Sequence, residues 1–111
     1  MKDLHEAVQR AIRDVEAVMA ALDSNDADLR AHQRQTLDMQ LQSLRVVDGE
    51  LHERVVTRRV WSLGEATVPV VRALLKAAGK PKIGLPEGVV EQAQSSIAGL
   101  RRELIRFAEG R

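Results

Sequence analysis

Apolar residues return along the start of the chain with a heptad beat. Leu4, Val8, Ala11, Val15, Val18 and Leu22 fall at steps of 4, 3, 4, 3 and 4. That spacing keeps one face of a helix apolar over almost three heptads. Ile12 and Met19 widen the stripe, Asp3 stands where a cap belongs, and Glu6 to Arg10 is a favourable i,i+4 pair. The pattern predicts a first helix over 3–22, about 30 Å long at 1.5 Å per residue. Asp23, Ser24, Asn25 and Asp26 then read as a turn. A short connection of this kind implies antiparallel neighbours.

The second stripe is Leu37, Leu41, Leu44, Val47, Leu51 and Val55. Gly49, after Asp48, is the only helix-weakening residue between 37 and 62. It costs about 1 kcal/mol relative to Ala, too little to force a break where packing favours continuation. The reading is one long helix over 27–62, with a kink at 48–49 as the alternative. Its start, Arg30 to Thr36, is polar, which suits either a loosely packed first turn or a polar recognition strip. Gly64 reads as a stop, and Pro69 suits a first turn, so a short third helix is expected over 67–78, closed by Gly79. After a Lys80–Pro86 connector, Val90, Ala93, Ile97, Leu100, Leu104 and Phe107 form a second heptad seam. A last helix is expected over 86–108, with Glu87 and Glu91 near its start and Arg101, Arg102 and Arg106 toward its end, as the helix dipole favours.

The expected fold is therefore all-α: one domain over 1–111, an antiparallel bundle of three long helices and one short one. A helix over 27–62 would outrun its neighbours and leave Leu51, Val55, Val60 and Trp61 in need of cover. Apolar patches beyond a few hundred Å² usually mark interaction surfaces. The length mismatch thus points to completion by a second copy, a homodimer. Heptads alone carry no such implication, because a bundle within one chain shows the same pattern.

Composition changes this picture little. With one Trp, one Phe and no Tyr, the core must be built from Leu, Val, Ile, Ala and Met, which suits helix-on-helix packing. No Cys is present, so disulfides and thiolate metal sites are excluded. No apolar run approaches the roughly 20 residues of a membrane span. Asp3, His5 and Glu6 do not suit a secretory signal, and the chain reads as cytoplasmic. Arg outnumbers Lys 13 to 4, a bias common in GC-rich bacterial and phage genomes.

Candidate chemistry is sparse. His32 and His52 lie 20 residues apart on the expected second helix and face different ways, and His5 borders the first stripe. No metal site and no cofactor are expected. Asp48 follows Leu44 on the seam; if buried it would need an Arg or His partner, and if Val47 turns inward it stays wet. Neither a nucleophile elbow nor a phosphate loop occurs, and the chain reads as non-enzymatic.

Charge is distributed unevenly. Arg54, Arg58, Arg59, Arg72, Lys76, Lys80 and Lys82 face only Glu65 across 54–82, a net +6 over 29 residues. The first 25 residues carry three positive and five negative charges. The basic segment could contact phosphates or an acidic protein. Val55 to Gly79 even has the outline of a helix-turn-helix, but Thr67, Val68, Pro69 and Val70 offer little to base edges.

The leading expectation is a non-enzymatic helical interaction module: a small adaptor, chaperone-like or inhibitory protein that self-associates. Leu51, Val55, Trp61, Leu104 and Phe107 would anchor the interface, with Arg58, Arg59 and Arg102 on its rim. Trp61 reads first as a core anchor at the bundle end and only second as an exposed hot spot. The alternative is a DNA-associated accessory or regulatory protein using Arg54–Lys82.

Overall fold

The computed structural model describes residues 2–24, 30–52 and 58–109, with the side chains of 58–60 outside that description. Within it the chain is all-helical, with no strand. The order is α1 (Lys2–Ser24), α2 (Ala31–His52), α3 (Arg58–Ala78), a 3-10 turn (Pro81–Ile83) and α4 (Val89–Glu109).

Each helix forms because it carries one apolar stripe. In α1 the stripe is the heptad seam plus Ile12, all of it buried. In α2, Leu37, Leu41, Leu44, Val47 and Leu51 turn inward. Val47 takes the core position, so Asp48 is left at the boundary. The first turns of α2, from Ala31 to Thr36, bury no side chain. In α4 the stripe is Val90, Ala93, Ile97, Leu100 and Leu104, with Ser96 among them.

The helices differ in length from the expectation. Instead of three long helices and one short, all four have 21 to 23 residues. The run expected over 27–62 is divided: α2 passes through Gly49 and ends at His52, and α3 starts at Arg58. Residues 53–57, Arg54 and Val55 among them, lie outside the described residues. The short helix expected over 67–78 begins nine residues earlier, at Arg58 rather than Thr67. Gly64 and Pro69 therefore stand inside a helix.

Packing explains why. Gly64, Thr67, Val68, Val71, Leu74, Leu75 and Ala78 form one buried stripe along α3. At Gly64 a Cβ would lie 3.0 Å from Cδ2 of Leu104. The glycine is not a stop; it is where a side chain of α4 presses on the α3 backbone. Pro69 is exposed, and its ring disturbs the helix on the solvent side, where the lost hydrogen bond costs least.

The connector is locally determined. Gly79 N–H donates to the Leu75 carbonyl at 2.9 Å and closes α3. Ile83 is buried and pins the turn to the core. Gly84 at φ 75° and Gly88 at φ 94° occupy the left-handed region that side chains resist. Gly88 also sets the start of α4, at Val89 rather than at Pro86. Its N–H donates to Glu91 Oε2 at 2.9 Å, so an acidic side chain satisfies a free amide where the dipole favours it.

α1 packs on α2 and α4, and α3 packs on α2 and α4. The four helices thus close a ring around one apolar core, measuring 43 × 20 × 18 Å. Leu51 is 3% exposed and Leu104 4%; both are enclosed by their own chain. Of the expected overhang, the described side chains are Leu51, which is enclosed, and Trp61, which is half-buried.

Two glycines separate helix propensity from packing. Gly49 has nothing within 4 Å of where a Cβ would stand, so Gly49→Ala should stabilise the fold by up to about 1 kcal/mol. Gly64→Ala gains the same propensity but must displace Leu104, and overpacking costs about 1–3 kcal/mol. Urea unfolding should place Gly49→Ala above the wild type and Gly64→Ala below it. Equal stabilisation by both would refute the close contact of α3 with α4.

Candidate functional site

The sequence-derived candidates scatter. Leu51 and Leu104 are core residues, not surface anchors. Trp61 and Phe107 are half-buried and packed against that core. Val55 and Arg54 lie outside the described residues, as do the side chains of Arg58 and Arg59. Arg102 is exposed but lines a separate, polar groove between α1 and α4, of about 280 Å³.

The basic segment is not one patch. Arg58 and Arg59 open α3, whereas Lys80 and Lys82 follow its end, about 30 Å away at 1.5 Å per residue. Arg72 and Lys76 are exposed one turn apart on α3, and the exposed Lys80 follows in the bend after its end. The helix-turn-helix outline is lost outright, since α3 runs unbroken through Gly64.

Polar side chains join the helices at their borders. His5 Nε2 and Asp48 Oδ1 lie 2.8 Å apart, on α1 and α2, each side chain about a quarter to a third exposed. The His52 ring approaches His5 edge-on with centroids 6.1 Å apart. His5 is the partner that Asp48 lacked on sequence grounds. Farther along the same pair of helices, Glu16 meets Arg45 at 3.4 Å and Asp23 pairs with Arg34. Between α1 and α4 the buried Ser96 hydroxyl donates to Asp14. These contacts read as devices that fix helix register. Among the described residues, no three His, Asp or Glu groups converge as a metal would require.

One surface departs from this pattern: an open trough between α3 and α4 of about 460 Å³. Val68 and Leu104 form its floor, Trp61 and Pro69 its α3 wall, Ile105 and Ala108 its α4 wall. Glu65, Arg101 and Glu109 stand around it, all exposed. Ile105 is 44% exposed, which is high for a large aliphatic side chain. Pro69 and Ala108, both small, line the trough from α3 and α4. Trp61 and Leu104 are the two expected interface anchors that line it. Ile105 was missed because it lies one step off the α4 seam, and its neighbours Arg101, Arg102 and Arg106 read as plain solvated surface. Elsewhere Met39 and Val46 are exposed on α2, seven residues apart on one face.

The Asp14–Ser96 bond gives a measurable test of register. Ser96→Ala should cost about 1 kcal/mol, the usual net worth of such a bond. Ser95→Ala, on the exposed side of the same helix, should stay within about 0.5 kcal/mol of the wild type. Both changes bring the same gain in helix propensity, so their difference isolates the bond. Identical melting of the two variants would deny that Ser96 ties α4 to α1. The chain matches no family model, no curated protein and no solved structure.

Proposed function

We propose that this chain is a non-enzymatic, helical protein–protein interaction module, an antiparallel bundle that receives an apolar helical face in the trough between α3 and α4. The observation that carries this reading is the trough itself: an apolar floor, a half-buried Trp61 and an exposed Ile105, with charged residues at the margin. Interfaces combine an apolar, partly aromatic centre with a polar rim, and Trp is the residue type most enriched among hot spots. The antiparallel arrangement is supported by the order of the border pairs. As α1 is followed from His5 to Glu16 to Asp23, the partners on α2 fall from Asp48 to Arg45 to Arg34. An adaptor, chaperone-like or inhibitory role would use such a trough in the same way, by helix-in-groove burial.

A photoreactive amino acid placed at Ile105 in living cells should give protein adducts. The same group at the exposed Gln42 of α2 should not. Excess unlabelled wild-type protein should compete the adducts away, and the Ile105→Asp protein should fail to compete. Equal labelling from both positions would reject the trough as a binding site.

A second reading, a DNA-associated accessory protein, is supported by the exposed Arg72 and Lys76 of α3 and the exposed Lys80 just after it. Three phosphate contacts would give a slope of about −2.7 in log affinity against log salt. Replacing all three by Gln should abolish binding to duplex DNA and leave Ile105 crosslinking intact. Absence of DNA binding at low salt, or binding unaffected by the triple substitution, would remove this reading.

A further inference from the structure

The charges beside the trough specify an occupant. Arg101, Ile105 and Glu109 follow one another at four-residue steps along α4, so they share one face, with the two charges about 6 Å on either side of Ile105. The ion pairs among the described residues engage none of Arg101, Glu109 and Glu65. The two α4 charges are equal in number, opposite in sign and symmetric about the exposed apolar residue.

That arrangement is complementary to itself when reversed. We infer that the trough is filled by α4 of a second copy of this chain, lying antiparallel to the first, with a two-fold axis passing beside Ile105. The inference rests on the trough being a protein-binding surface, as proposed above. In a two-fold interface, if one residue contacts another, the reciprocal contact is also made. An axis at Ile105 sets Ile105 against its symmetry mate. It also sets Arg101 of each copy opposite Glu109 of the other, twice per dimer. Each α4 then lies between α3 and α4 of the opposite copy, over Leu104 and beside Trp61 and Pro69. A parallel arrangement would set Arg101 against Arg101 and Glu109 against Glu109, so the charges select the antiparallel one.

The scale of the contact predicts its strength. Stable interfaces bury about 1,200–2,000 Å² in total. One 21-residue helix laid along a shallow trough falls at the low end of that range. The dimer should therefore be reversible and depend on concentration.

Sedimentation velocity over a concentration series, from low to high micromolar, gives the test. The wild type should pass from monomer to dimer. Arg101→Glu alone sets Glu against Glu109 of the other copy at two places, and Glu109→Arg alone sets Arg against Arg101. Each single change should weaken dimerisation by about tenfold, from two exposed pairs lost and replaced by like charges. The double variant, R101E with E109R, should restore it, because each charge again faces its opposite. Both sites are exposed, so circular dichroism and melting temperature should match the wild type in all three variants. A wild type that stays monomeric throughout overturns the second-copy occupant. If Ile105 then still crosslinks to a protein, the trough remains a binding site for a different chain. A dimer that both single variants leave intact overturns the antiparallel two-fold at Ile105.

Discussion

The contact between Gly64 and Leu104 is the constraint on which the rest of the structure depends. Two helices can approach this closely only where one lacks a side chain. A Cβ at residue 64 would stand 3.0 Å from a Leu104 methyl carbon, so any larger residue there requires Leu104 to shift. The approach buries Leu104, encloses the lower part of α3, and repays the cost of a glycine within a helix. A similar contact recurs at the far end of the same pair, where a Cβ on Gly79 would meet Val90 Cγ1 at 3.1 Å. The trough lies at the Gly64 end of this pair, lined by residues of both helices.

Much of the fold is legible from spacing alone. The seams of α1 and α4 can be read directly because each inward position recurs at three or four residues with hardly an interruption. The core without Tyr or Cys follows from composition, and aliphatic side chains fill it. Gly49 is also legible: a single glycine costs too little to break a helix, and α2 passes through it to His52. Val47 rather than Asp48 takes the core position because burial of a carboxylate costs more than a small rotation of the helix.

What was not legible depends on contacts between helices. Gly64 and Pro69 carry strong local signals for an end and a start, and in isolation those signals are sound. They are overridden because the Val68, Val71, Leu75 stripe needs Gly64 in register with it to cover α4. The long second helix was read from unbroken periodicity over 37–55, which shows where helices exist and not where one gives way to the next. The border pair of His5 with Asp48 has no sequence signal until the register of α1 against α2 is fixed. Once it is, Asp23–Arg34 and Glu16–Arg45 fall along the same line. Two expected interface anchors, Leu51 and Leu104, are core residues instead, because each sits on the inward stripe of its own helix.

Ile105 shows how a helix can complete its own core and still present an apolar face. The inward positions of α4 end at Leu104, and the next residue is turned by about 100° from it. That turn carries Ile105 past the α3 contact and onto the shoulder of the trough. Were α3 farther from α4, a larger residue than Gly64 would fill the gap and Ile105 would lie on a convex ridge, where water covers it with little consequence. With α3 drawn in, Trp61 and Pro69 rise opposite it, and the ridge becomes one side of a concavity. Concave apolar surface gains more from an inserted side chain than a ridge does, because the guest contacts atoms on both sides. The glycine that permits the core to close thus also shapes the surface that remains open.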